Sequence, residues 1–126
     1  MGRDGLYNHL CLIKTNKMET NQIEKGKAHN LQNAVGYMGK SVVSKQVIKA
    51  PVGNITLFAF DEGEGLSEHS APFDAFVQII EGTAEIIIGG VSNAVSEGEF
   101  IIMPANISHA LKAVKKFKMM LVMIRA

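Results

Sequence analysis

From Val35 onward, short apolar runs recur between glycine and proline punctuation, and this rhythm is the clearest feature of the chain. Ser41 to Lys49 alternates loosely, with Val43 and Val47 on one face and Val42 and Ile48 on the other, until Pro51-Val52-Gly53 turns the chain. Asn54 to Phe60 is apolar on both faces, the mark of a strand covered on both sides, as in a sandwich or a closed barrel whose outer face packs on a partner. Phe76 to Ile80 reads as a buried strand ending in a Glu-Gly turn. Thr83 to Ile88 and Val91 to Val95 flank Gly89-Gly90, which predicts a tight hairpin with positive φ at both glycines. Phe100 to Met103, His109 to Val114 and Phe117 to Ile124 complete the set. Strands at intervals of this kind, without a helical period beyond the N-terminal region, predict an all-β sandwich or barrel.

Before Val35 the pattern fades. Residues 1–33 read as a weakly ordered N-terminal extension, with Met1 to Lys17 as a tail, and 34–126 as a single barrel domain. The whole chain has 126 residues and 47% hydrophobic content, enough for one core and too little for two ordinary domains. On the last strand Phe117, Met119, Leu121 and Met123 share one face and Met120, Val122 and Ile124 the other, and neither face looks wet. Apolar surface of this extent on a small domain predicts a homodimer.

Thirteen basic residues against twelve acidic ones leave no charge field, so neither nucleic acid nor an anionic membrane is an expected partner. Lys112, Lys115, Lys116 and Lys118 cluster, but as a solvated hairpin end without interleaved aromatics. Cys11 is the lone cysteine, which fits a reducing compartment and a cytoplasmic location. No apolar run approaches membrane-spanning length.

Candidate chemistry gathers between Gly63 and Gly82, a stretch that opens as a polar, glycine-rich turn and closes as an apolar strand. His69 stands at the mouth of that strand, and His109 occupies a similar setting after Gly98 and Pro104. His9, Cys11 and His29 fall in the unpatterned region, where nothing nearby fixes a metal geometry, and read as solvent-exposed side chains. Strand alternation sets Ala71, Ala75, Val77 and Ile79 beside an inward His69, and Leu111 and Ala113 beside His109, so the expected interior is apolar with two imidazoles.

Gly63, His69 and Gly82 match the first motif of the small cupins, G-x5-H-x-H followed by E and G, and Gly98, Pro104 and His109 match the second, G-x5-P-x-G-x2-H-x3-N. The chain departs from these motifs at Ala71, where a second His is expected, at Ala75 for the Glu, at Asn106 for a Gly and at Ala113 for the Asn. Resemblance to the cupin superfamily implies a β-barrel of jelly-roll, or double-stranded β-helix, type, dimeric, with a ligand inside. In that family the motif positions usually hold a divalent metal such as Zn, Fe, Mn or Ni, and here only His69 and His109 remain of the set. Two neutral imidazoles hold a metal weakly unless a further donor completes the shell, and Glu68 and Asp74 are the candidate third donors.

The residues leave two readings open. One is a module that binds a small molecule through His69 and His109; the other is a metal-dependent enzyme, a dioxygenase, isomerase or lyase, with a reduced ligand set. Without a metal the two imidazoles could act as general acid and base for a proton shift in a small carbonyl compound or sugar derivative. No Ser, Cys or Lys in the motif region has an activating partner for nucleophilic catalysis.

Overall fold

The computed structural model describes residues 16–18 and 23–125. Among the described residues there are ten strands: β1 (Asn16–Met18), β2 (Val42–Ala50), β3 (Gly53–Phe60), β4 (Gly65–His69), β5 (Ala75–Glu81), β6 (Thr83–Ile88), β7 (Val91–Ser96), β8 (Phe100–Met103), β9 (His109–Lys112) and β10 (Phe117–Ile124). They form a six-stranded sheet in the order β1-β2-β3-β10-β5-β8 and a four-stranded sheet in the order β4-β9-β6-β7. Every pairing is antiparallel except that of β1 with β2. No helix occurs among the described residues, and so none is long and apolar enough to cross a membrane.

The glycine hairpin forms as expected, with Gly89 at φ 56° and Gly90 at φ 84° and Ile88 paired with Val91. One expectation needs correction. The Gly63–His69 stretch, read as a turn, contains strand β4, with Leu66 paired to Leu111 and His69 to His109. Its polarity misleads because β4 is an edge strand, bonded only to β9, and Ser67, Glu68 and His69 are exposed on it.

Between the sheets lies the main core, built on Phe58, Phe60, Val77, Ile79, Ile86, Leu111, Phe117 and Met119. Leu66, Ile88, Ile101, Leu121 and Met123 extend it as half-buried side chains. The two faces of β10 divide as the alternation predicts, Met119, Leu121 and Met123 turning to this core and Met120 to a second one. That second cluster, Val35, Val43, Leu57, Ala59 and Ile80, sits on the outer face of the large sheet. Ile23, Ala34 and Tyr37 pack on it, so the chain's own residues cover part of the face expected to need a partner. Asn16–Met18, in the segment read as a weakly ordered extension, also pairs with β2. His9 and Cys11 lie outside the described residues, and His29 is exposed, its Nε2 donating to the Glu24 carbonyl at 2.8 Å.

A polar knot fastens this covering segment. Lys118 is 92% buried and its Nζ donates to the Gln32 carbonyl, lies 4.0 Å from a Glu81 carboxylate oxygen and 5.1 Å from the Tyr37 ring centroid. The Tyr37 hydroxyl donates to Glu81 at 2.7 Å. Burial first, then that hydrogen bond and the Glu81 charge, push the Tyr37 phenol well above its ordinary range. Replacing Lys118 with Ala leaves Glu81 without its buried cation and the Gln32 carbonyl without a donor. A loss of about 1–3 kcal/mol is expected, together with faster proteolysis around residues 23–37. Thermal unfolding and limited proteolysis check this, and unchanged cleavage in that segment would remove the knot's role.

Candidate functional site

The fold brings the two histidines together. His69 ends β4 and His109 begins β9, and they are directly opposite in register. Their ring centroids are 4.4 Å apart with an interplanar angle of 71°, an edge-to-face contact. A bulge between Leu66 and His69 accompanies this alignment. The environments of the two rings differ. His109 is buried at 4% exposure whereas His69 is exposed, so the pair straddles the barrel mouth instead of lying wholly in the apolar interior.

Each ring is oriented in the same way. The Nδ1 of His69 is 2.7 Å from the Ser67 carbonyl oxygen, and that of His109 is 3.3 Å from the Ile107 carbonyl oxygen. A carbonyl can only accept, so in both bonds Nδ1 carries the proton. The neutral rings then hold Nε2 as an unprotonated acceptor.

Burial first, then the neighbouring His69, lower the His109 pKa from its ordinary 6.5, against a smaller opposing effect of the Ile107 carbonyl. Between the lowered value and 6.5 the unfolded chain binds more protons than the folded one. This contribution to stability is therefore complete above about pH 6.5 and is lost as the pH falls through the folded pKa. His109→Gln should flatten that acid-side loss in stability measured by urea unfolding between pH 5 and 7, whereas an unchanged pH profile would deny the burial of an uncharged imidazole.

Three links tie β4 and the loop that follows it to the loop before β9. Ser108 Oγ donates to Glu68 at 3.1 Å, the Ala105 amide donates to Asp74 at 2.9 Å, and the Asn106 amide donates to the Ala71 carbonyl at 2.7 Å. Both candidate third donors are thus engaged in loop contacts. Asn106 explains one departure from the motif. It holds φ 64°, a left-handed conformation that suits Gly and that Asn tolerates better than other residues, so the turn survives the exchange. Asn106→Val should cost about 1–2 kcal/mol and Asn106→Gly close to nothing, as read by denaturant midpoints. Equal midpoints for the two variants would contradict the account of this turn.

The position of Ala75, where the motif has a carboxylate, is a buried wall of the main core together with Val77 and Ile79. Among the described residues no group of three or more His, Cys, Asp and Glu gathers to hold a metal ion. Two imidazole nitrogens, with Ala71 and Ala75 in the other motif positions and both nearby carboxylates bonded elsewhere, do not make the donor set of a resident metal centre.

The class defined by these elements is a two-sheet β-barrel of jelly-roll type with its candidate site at the mouth. Residues 56–125 match the family model of the cupin domain, and the chain belongs to the cupin family. It is 39% identical to a conserved protein of unknown function from Streptococcus pyogenes, covering 84% of this chain and 93% of that one with a TM-score of 0.79. It is also 36% identical to a cupin 2 conserved barrel domain protein from Leptotrichia buccalis, with a TM-score of 0.75, covering 77% of this chain but 47% of that one. A cupin superfamily protein from Desulfitobacterium hafniense, 22% identical over 84% of this chain and 97% of its own with a TM-score of 0.78, shares the fold. No curated protein matches the sequence.

Proposed function

We propose that this cupin binds a small molecule at the barrel mouth through Nε2 of His69 and Nε2 of His109. The observation that carries the reading is the matched orientation of two touching rings, each with Nδ1 engaged by the carbonyl two residues earlier. Two acceptors side by side call for a guest that donates, through hydroxyl or acid O–H groups. The half-buried Leu66, Ile88, Leu121 and Met123 that border the core would receive its apolar body. The guest class is therefore a small, largely apolar compound with one or two O–H donors. The ring with the lowered pKa, His109, stays unprotonated near neutrality and would accept a hydrogen bond from such a group.

Titration with catechol, phenol and pentane-1,2-diol, followed through the imidazole signals of both histidines by NMR, tests this reading. Joint shifts of both rings, lost in His69→Ala and in His109→Ala, are expected. The same protein, purified without added metal, should carry well under one equivalent of Zn, Fe, Mn or Ni. One tightly held equivalent that disappears in His69→Ala would replace this reading with a metal-dependent enzyme.

A further inference from the structure

A polar strip runs along the inner face of the large sheet, on β2 and β3. Val42, Phe58 and Phe60 belong to the main core, so alternation puts Ser44 and Gln46 of β2 and Asn54 and Thr56 of β3 on that same face. In register Ser44 is opposite Phe58 and Gln46 opposite Thr56, while across β3 Thr56 is opposite Leu121 and Asn54 opposite Met123. The strip therefore adjoins two of the half-buried apolar side chains that border the core at the mouth.

A bulge extends it. The register of β2 against β3 shifts between Gln46 and Ile48, so that Ile48 is opposite Ile55 and Lys49 opposite Asn54. Unbroken alternation, as read in the sequence, puts Ile48 on the face of Val42 and turns Lys49 away. The bulge does the reverse, leaving Ile48 54% exposed on the outer face and bringing Lys49 beside Asn54 on the inner one. Packing gains nothing from an exchange that exposes an isoleucine. What it achieves is a cation at the rim.

Among the described residues the buried side-chain polar atoms without a hydrogen-bond partner are Ser44 Oγ and Asn54 Oδ1, and both belong to this strip. Such atoms are rare in folded chains, because each has given up its bonds to water for nothing. Ser44 is fully buried and closes the inner end. Asn54 is half-buried beside Lys49, and with Oδ1 on its buried side its amide has Nδ2 left to face the mouth.

We infer, on the basis of the histidine site already proposed, that this strip is the anion end of that site and that the guest is a small hydroxy acid. Its hydroxyl meets the two imidazoles, and its carboxylate accepts from Lys49 Nζ and Asn54 Nδ2 in charge-assisted hydrogen bonds. Gln46 and Thr56 are the next donors along the strip. Facing sheets stand about 10 Å apart, a gap that one aromatic ring carrying both groups spans together with these side chains.

Calorimetric titration and imidazole NMR of the full chain with 4-hydroxybenzoate, its neutral isostere 4-hydroxybenzamide and phenol test this. All three should shift both histidine rings, and the acid should bind about fivefold more tightly than the amide, a preference that high salt reduces. Lys49→Gln, at an exposed position, should bring acid and amide to within about twofold of each other, whereas Lys45→Gln, one face away on the same strand, should keep the preference. An acid bound no better than the amide by the parent, or a preference that survives Lys49→Gln, overturns the anion end while phenol shifts of both rings leave the histidine site standing. No imidazole shift with any of the three compounds overturns both.

Discussion

Gly65→Ala is expected to lower stability by about 2–3 kcal/mol and to pull the histidine pair apart. A Cβ on Gly65 would stand 2.3 Å from the Leu111 carbonyl oxygen and 3.4 Å from the Lys112 Cα, both backbone atoms of the facing strand. Nothing flexible lies in the way to yield. The chain just before Gly65 is pinned as well, by Gly63 N–H donating to the Ala113 carbonyl at 2.7 Å and Ala113 N–H to the Glu64 carbonyl at 2.8 Å. The strain must therefore travel along β4 toward its other end, where His69 meets His109. Losing that neighbour and some of its burial should let the His109 pKa rise toward 6.5. Gly36→Ala is the control, because a Cβ there meets nothing within 4 Å. Thermal unfolding and a histidine NMR titration read both effects. A Gly65→Ala protein with parental melting and an unmoved His109 titration would mean that β4 is not held against β9 as described.

Phe117→Ala is expected to cost about 3–5 kcal/mol, the range for removing a large buried aromatic side chain. Phe117 is fully buried and stacks on Phe60 at 4.5 Å with an interplanar angle of 12°. It belongs to the main core, in the same cluster as Phe60, Ile79, Ile86 and Met119. The loss in urea unfolding should far exceed that for Val114→Ala, at a position 70% exposed, where well under 1 kcal/mol is expected. Similar losses for the two variants would place the centre of packing elsewhere.

Much of the barrel was legible in the residues because each central strand has its own signal. Gly89-Gly90 specified its hairpin, and the continuous apolar character read in Asn54 to Phe60 corresponds to cover on both faces over Leu57 to Phe60, with Asn54 to Thr56 only half-buried. Strand β4 was not legible because an edge strand has one bonded neighbour and needs little apolar surface, so Ser67-Glu68-His69 has the composition of a loop. What covers the outer face was hidden for a different reason. Ile23, Tyr37 and Gln32 act through contacts with Ile80, Glu81 and Lys118, which are far away along the chain and leave no periodic trace.

At the site, motif spacing set both histidines at strand mouths, but their exact opposition depends on a bulge that composition does not encode. The exposure of His69 follows from its place on the edge strand. The bonds of Glu68 and Asp74 depend on how β4 and the loop after it meet the loop before β9, which no local pattern records.

The account of the mouth rests on where the imidazole protons sit. Long-range ¹⁵N–¹H correlation of the histidine rings at pH 8, on the full chain purified without added metal, reads this directly. Both His69 and His109 should show the pattern of a protonated Nδ1 and a bare Nε2. A protonated Nε2 on either ring would contradict the account, because the paired acceptors offered to a guest would then not exist.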